Sequence, residues 1–139
     1  MNQCLHQLFE SQCDLTPNVV AVEHSEKKLT YRELNCRANQ LARQLRHMGV
    51  EPDSLVGVYL ERSLKMPVAL LGILKSGAAY VPMDTAYPRE RLAFMLAHAR
   101  PRVLITQQGL LENAPEHKAS LICIDSQLSQ PPNDSENLV

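Results

Sequence analysis

Short apolar runs that suit buried strands alternate along this chain with segments of helical periodicity. The runs at 55–61 (LVGVYLE), 102–106 (RVLIT) and 120–125 (SLICID) are rich in Val, Ile and Leu, and helical patterns separate them. A strand that is apolar on both faces is typical of a parallel sheet covered by helices. The alternation therefore predicts an α/β fold with a largely parallel sheet.

The helix predicted after residue 30 has sequence signals at both ends. Thr30 and Glu33 have the spacing of a capping box, and Gly49 lies where a left-handed residue ends a helix. The segment between them divides into two faces. Its apolar face comprises Leu34, Ala38, Leu41, Ala42, Leu45 and Met48, and its polar face comprises Arg37, Asn39, Gln40, Arg43 and Arg46.

Two further elements are predicted before this helix. Apolar residues at Leu5, Leu8, Phe9 and Cys13 have helical spacing, which predicts a short amphipathic helix that ends before residue 16. The segment 19–31 has strand-like runs on both sides of a polar turn at 25–28, which predicts a β-hairpin.

Small and rigid residues are concentrated near the end of the third predicted helix and after it. The helix at 66–74 is apolar almost all round, with Ser63 as its candidate N-cap and Lys75 expected as an exposed residue near its end. Gly72 removes side-chain bulk, so we expect this helix to lie close against the sheet. Gly77 is expected to have a positive φ where the chain leaves the helix.

The chain that follows is expected to form a short strand, a turn and a helix. The strand at 79–81 ends at Pro82, and Asp84 and Thr85 can bond amides of the turn. Pro88 favours a helix start, and the apolar positions of that helix are Leu92, Phe94, Met95 and Ala99. Each glycine, proline and turn residue named between positions 72 and 88 thus has a role in backbone conformation or packing.

Composition excludes several classes of function. Lys and Arg number 14 and Asp and Glu number 15, and aromatic residues make up only 4% of the chain. A net charge of −1 gives no field that would favour nucleic acid or an anionic membrane. No signal peptide and no run long enough to span a bilayer is present, so we expect a soluble, cytoplasmic protein.

The four cysteines form no CxxC pair and are expected to be free thiols in a reducing compartment. Cys4, His6 and Cys13 lie close together in sequence but lack the spacings of a zinc site. We interpret them as helix positions and predict no metal ligand.

Four segments in order resemble the start of an amino-acid adenylation domain from a nonribosomal peptide synthetase, a branch of the AMP-forming ligases. They are LTYRELN at 29–35, ANQLARQLRHMGV at 38–50, VGVYLERS at 56–63 and GILKSGAAYVPMDTAYPRERL at 72–92. The first contains the family's motif Leu-Thr-Tyr-x-Glu-Leu. The last is similar to its motif Leu-Lys-Ala-Gly-x-Ala-Tyr-Val-Pro, with Ser76 in place of the usual Ala.

The resemblance implies a chemistry for the complete domain. Such domains join an amino acid to AMP from ATP, with Mg²⁺, release pyrophosphate and pass the acyl group to the phosphopantetheine thiol of a carrier protein. The expected partners are the rest of the adenylation domain, carrier and condensation domains, and the amino acid, with no nucleic acid or membrane.

The family's phosphate-binding loop, adenine-binding segment, ribose-binding Asp, hinge and catalytic Lys all lie downstream of the matched motifs. We therefore expect no catalytic, cofactor-binding or metal-binding residue in this chain. Residues 1–125 are interpreted as an incomplete N-terminal segment of the domain. Residues 126–139 are interpreted as a polar linker or loop leading toward the phosphate-binding motif.

Three groups of residues are candidates for a site, and each has a structural interpretation. Lys75, Ser76, Gly77 and Ala78 lack the spacing of a phosphate cradle and lie at a helix C-terminus, where the dipole disfavours anions. Arg62 and Ser63 follow a strand, and a cap with a surface salt bridge accounts for them. The scattered histidines His24, His47, His98 and His117 form no triad pattern.

Two alternatives remain open on the sequence alone. A fragment of an acyl- or aryl-CoA ligase would share the scaffold and differ in substrate and acceptor. A self-sufficient α/β binding module would interact with a partner chain without ATP.

Overall fold

The structure is a computed structural model that describes residues 5–24, 26–113, 115 and 119–124 of the 139-residue chain. Cys4, His117 and the predicted linker at 126–139 lie outside the described residues. The elements follow in the order α1 (Leu5–Leu15), β1 (Val20–His24), β2 (Lys27–Thr30), α2 (Tyr31–His47), β3 (Leu55–Val58), α3 (Lys65–Ser76), β4 (Ala79–Pro82), α4 (Arg89–Ala99), β5 (Val103–Thr106), a 3₁₀ helix (Gln108–Asn113) and β6 (Ser120–Cys123).

Four of the described strands form one parallel sheet in the order β4–β3–β5–β6. Val56 of β3 lies opposite Val103 of β5 and Tyr80 of β4, and Leu104 lies opposite Leu121 of β6. The predicted α/β class with a parallel sheet is confirmed. The α-helices connect parallel strands because such strands cannot be joined by a tight turn.

β1 and β2 form the predicted hairpin, apart from the main sheet. The predicted turn at 25–28 was too long, because His24 pairs with Lys27 and Glu23 pairs with Lys28. Both lysines therefore belong to β2, and only two residues connect the strands.

Most of the buried apolar residues in the described part of the chain form two clusters, which include side chains from both faces of the sheet. β5 shows the alternation, since Val103 and Ile105 belong to the larger cluster with α2 and α3, while Leu104 belongs to the smaller cluster with α4. All four residues of β5 are buried. The strand is thus covered on both faces within this chain, as its apolar sequence predicted.

The predicted signals of α2 are confirmed. The Glu33 amide donates to Thr30 Oγ1 at 3.2 Å, and the Thr30 amide donates to Glu33 Oε1 at 3.0 Å. Gly49 follows with a φ of 88°. The predicted polar face is wrong at one position, because Asn39 is fully buried. α2 contacts α1, α3 and the hairpin, so more than one side of the helix is covered.

The helix–strand joint also follows the prediction closely. Gly77 ends α3 in the left-handed region with a φ of 89°, and Pro88 is the N-cap of α4. Asp84 Oδ1 accepts from the Ala86 amide at 2.8 Å. Ser63 is not the N-cap residue, which is Leu64, although Ser63 Oγ accepts from the Lys65 amide at 3.1 Å.

The packing predictions for Gly72 and Phe94 are wrong. Gly72 was expected to face the sheet, but a Cβ added there would lie 2.7 Å from Leu41 Cδ2 on α2. The close contact is therefore between helices. Phe94 was expected on the apolar face of α4, but it is 70% exposed, while Leu92 and Leu96 are buried. Residues four apart share a helix face, whereas a residue two positions on lies about 200° away.

Candidate functional site

The carboxyl ends of the parallel strands meet at one edge of the sheet, which is where α/β proteins bind ligands. At this edge the Tyr59 amide donates to Ile105 O and the Met83 amide donates to Val58 O, both at 2.9 Å. The Glu61 amide donates to Gln107 Oε1 at 2.9 Å. The segments that leave β3 and β5 are thus joined by hydrogen bonds.

Thr106 ends β5 at this edge and has an unusual environment. The residue is fully buried, and among the described residues its Oγ1 has no hydrogen-bond partner. A buried hydroxyl without a partner costs free energy, so such groups are rare in folded proteins. Sequence reasoning missed Thr106, and the available signal was a hydroxyl residue at the end of an otherwise apolar strand.

An open cavity of about 920 Å³ lies between the hairpin, the start of α2 and the start of α3. Its lining is rich in charged side chains, and basic residues outnumber acidic ones. The lining residues are His24, Glu26, Lys27, Lys28, Leu29, Glu33, Arg37, Ser63, Leu64 and Lys65. Small-molecule sites of this size are usually lined by apolar and aromatic side chains, so we assign no ligand to this cavity.

Of the candidate pair after β3, Ser63 lines this cavity and Arg62 is exposed. Ser63 Oγ accepts the amide of Lys65 at the start of α3, which gives it a local structural role.

Lys75, the basic residue of the Lys-Ser-Gly candidate, is not exposed as predicted. Only 4% of the residue is accessible, and its Nζ forms an ion pair with Glu10 Oε2 on α1. Burial lowers the pKa of Lys75, and the neighbouring Glu10 carboxylate opposes this effect. The Lys75 ammonium therefore contributes to the contact between α3 and α1.

Ser76 and Gly77, which belong to the same candidate, also have structural roles. The Ser76 hydroxyl donates to Ile73 O at 2.6 Å, and Gly77 turns the chain out of α3. The carboxyl end of a helix carries negative partial charge, so this geometry favours a cation over a phosphate.

The thiols of Cys13 on α1 and Cys36 on α2 are both buried, and burial raises the pKa of each above its ordinary value. A raised thiol pKa disfavours the thiolate, which is the form that binds metals and attacks electrophiles. Within the part of the chain that the structure describes, no three His, Cys, Asp or Glu side chains are placed to hold a metal ion.

The described histidines lie on separate elements. His24 ends β1, His47 ends α2, and His98 stacks on Phe94 with ring centroids 5.9 Å apart. None of the described helices is both long and apolar enough to cross a bilayer.

Comparison with known proteins gives a consistent assignment. The family model described as AMP-binding enzyme matches residues 9–138. A linear gramicidin synthase from Brevibacillus parabrevis is 53% identical over 125 residues, which are 90% of this chain and 2% of that protein. Bacitracin synthase 1 of Bacillus licheniformis is 45% identical over 125 residues, again 90% of this chain and 2% of the relative.

Solved structures agree with the fold. A crystal structure of the nonribosomal peptide synthetase FmoA3 in its alpha-methyl-L-serine-AMP bound form superposes with a TM-score of 0.88 at 33% identity, over 99% of this chain and 15% of that chain. The N-terminal subdomain of Klebsiella oxytoca NpsA has a TM-score of 0.86 at 23% identity, over 100% of this chain and 35% of that chain, which supports the fold alone.

This chain thus spans about 2% of the length of each of these two synthases. The family resemblance predicted from the four sequence motifs is confirmed. The chain belongs to the family of AMP-binding enzymes.

Proposed function

We propose that this chain is the N-terminal segment of an amino-acid adenylation domain in a nonribosomal peptide synthetase. The observation that carries the proposal is 53% identity to a segment of a linear gramicidin synthase over 90% of the chain. The similarity to FmoA3, which was crystallised with an aminoacyl-AMP, supports the same assignment.

In the complete domain, an amino acid and ATP react to give aminoacyl-AMP and pyrophosphate, with Mg²⁺ accompanying the nucleotide. The aminoacyl group then passes to the phosphopantetheine thiol of a carrier protein, and AMP is released. The remaining adenylation domain, a carrier domain and a condensation domain are the partners in this proposal. We assign no residue of this chain to ATP, Mg²⁺ or phosphopantetheine.

The role of this segment is to supply scaffold. It contributes four parallel strands and the bond between Glu61 and Gln107 at their carboxyl edge, against which the nucleotide and amino-acid sites are built. Residues 1–125 form this segment, and residues 126–139 lead toward the phosphate-binding loop. The family match as far as residue 138 supports that continuation.

We place the synthetase in the cytoplasm. Among the described residues, Cys13 and Cys36 are buried and form no disulfide. Unpaired structural cysteines are typical of a reducing compartment.

A chimaera tests the proposal directly. The matching 125 residues of a linear gramicidin synthase module are replaced by the corresponding 125 residues of this chain, and amino-acid-dependent ATP–pyrophosphate exchange is measured. We expect exchange within about tenfold of the host module, a loss of less than about 1.4 kcal/mol of transition-state stabilisation. The amino-acid preference of the host should be unchanged, because the family's substrate pocket lies downstream.

The isolated chain is the negative control and should show no exchange. A chimaera that folds as the host does but shows no exchange would contradict the proposal and favour the stand-alone binding module. A chimaera with an altered amino-acid preference would show that this segment shapes the substrate pocket, contrary to a scaffold role.

A further inference from the structure

The described side chains of the first helix have little apolar anchoring to the rest of the fold. Among the described side chains of α1, at residues 7–15, only Cys13 is buried. Phe9 is partly buried and lies 5.5 Å from Tyr31 between ring centroids. Leu8 and Leu15 are 51% and 77% exposed. Apolar burial alone therefore holds α1 weakly compared with α2 and α3.

The charged contact of α1 is much better buried than Leu8 and Leu15. Lys75 of α3 and Glu10 of α1 form an ion pair, and their side chains are 1% and 16% exposed. They lie 65 residues apart in sequence. While α1 is docked, the Glu10 carboxylate compensates the buried Lys75 charge, and a docked α1 without that carboxylate would leave the charge uncompensated.

We propose that the Glu10–Lys75 pair is a lock that holds α1 in place. Its opening releases α1 alone while the sheet, α2 and α3 remain folded. Release uncovers the Cys13 thiol and the Lys75 ammonium. The lock is a conformational device of this segment and does not depend on the proposed adenylation activity.

Reaction of the native thiols with N-ethylmaleimide tests the lock in the full 139-residue chain. Cys13 should react slowly in the wild type because docked α1 buries it, while the less buried Cys123 serves as an internal reference. Glu10→Gln leaves the Lys75 charge without its carboxylate and should accelerate Cys13 at least about tenfold. The rate at Cys123 and the protection of α2 and α3 amides from hydrogen exchange should be unchanged.

Asp14→Asn is the matched control on the same helix. Asp14 is exposed. The negative charge of Asp14 raises the pKa of Cys13 more than the negative charge of Glu10 does. The control therefore measures the direct effect of a lost negative charge on the thiol. It should change the Cys13 rate much less than Glu10→Gln does.

A double variant tests whether any stable contact between positions 10 and 75 holds α1, or whether the Glu and Lys side chains themselves are required. Glu10→Leu with Lys75→Met replaces the ion pair by an apolar contact and should return Cys13 to slow reaction, because apolar replacements of buried pairs are often tolerated.

Four results would overturn the proposal. The first is an unchanged Cys13 rate in Glu10→Gln, and the second is an equal acceleration of Cys13 in Asp14→Asn. The third is a double variant in which Cys13 reacts as fast as in Glu10→Gln. The fourth is a faster reaction of both Cys13 and Cys123, accompanied by lost amide protection in α2 and α3. The last result would mean global unfolding.

Discussion

The third helix, α3, contacts two neighbouring helices, α1 and α2, by different chemistry. Toward α2 it presents Gly72, whose missing side chain lets Leu41 approach, and Val68, Ala69 and Ile73 are fully buried in the same core. Toward α1 it presents Lys75, paired with Glu10. Apolar burial stabilises without much directional demand, whereas a buried pair must offset its own desolvation. The α2 contact therefore supplies stability, and the α1 contact mainly fixes position.

The largest expected effect comes from breaking the α2 side. Gly72→Leu places atoms where Leu41 already lies, since even a Cβ would be 2.7 Å from Leu41 Cδ2. Overpacking of this kind should lower the free energy of unfolding by about 3 kcal/mol. The denaturant midpoint of the chain measures the loss.

Gly109→Ala is the control for this change, because a Cβ at Gly109 would meet no heavy atom within 4 Å. Its effect should stay within about 0.5 kcal/mol. Similar midpoints for Gly72→Leu and the wild type would show that α2 and α3 are not in close contact.

Breaking the α1 side should cost less. Lys75→Ala removes a buried ammonium and leaves the Glu10 carboxylate beside an emptied site. We expect the free energy of unfolding, measured from the denaturant midpoint, to fall by about 2 kcal/mol. This loss is below the usual range for a fully buried pair because Glu10 can turn toward solvent. An exposed lysine, which the sequence pattern predicted at this position, would leave the fold nearly intact when replaced. A loss below about 0.5 kcal/mol would therefore favour the exposed lysine over the buried pair.

The start of α2 offers an intermediate effect. Thr30→Ala removes the hydroxyl that accepts the Glu33 amide and should cost about 1 kcal/mol in thermal or denaturant unfolding. Thr30→Ser keeps the hydroxyl and should recover most of that loss. Equal losses in both variants would mean that the methyl group, and not the cap, is what matters.

The smallest effect is expected at an exposed ion pair that matches the buried one. Lys28 Nζ lies 3.8 Å from Glu23 Oε2, and the two side chains are 59% and 58% exposed. Lys28→Ala should change the free energy of unfolding by less than about 0.5 kcal/mol. A loss as large as that of Lys75→Ala would show that burial does not distinguish the two pairs.

The sequence was sufficient where a feature depends on neighbouring residues. The Thr30–Glu33 capping box joins residues three apart, and the positive φ of Gly49 and Gly77 follows from their positions after helices. The sheet was predictable because the apolar runs of its central strands are long enough to be covered on both faces.

The sequence was insufficient where a contact joins distant segments. Lys75 looked like an exposed lysine because its partner Glu10 lies 65 residues away. Gly72 was predicted to face the sheet because nothing local indicates Leu41, and Asn39 is buried although its place in the helical pattern indicated the polar face. The unpaired hydroxyl of Thr106, observed among the described residues, likewise depends on tertiary packing.

Native-state hydrogen exchange at increasing denaturant concentration tests the difference between the two sides of α3 most directly. In the wild-type chain, amides of α2 and α3 should exchange with the free energy and denaturant dependence of global unfolding. Amides of α1 should exchange with a smaller free energy and little dependence on denaturant, because only the Glu10–Lys75 contact and a small surface open. Exchange of α1 with the same free energy and the same denaturant dependence as α2 and α3 would contradict a separate, weaker attachment of α1.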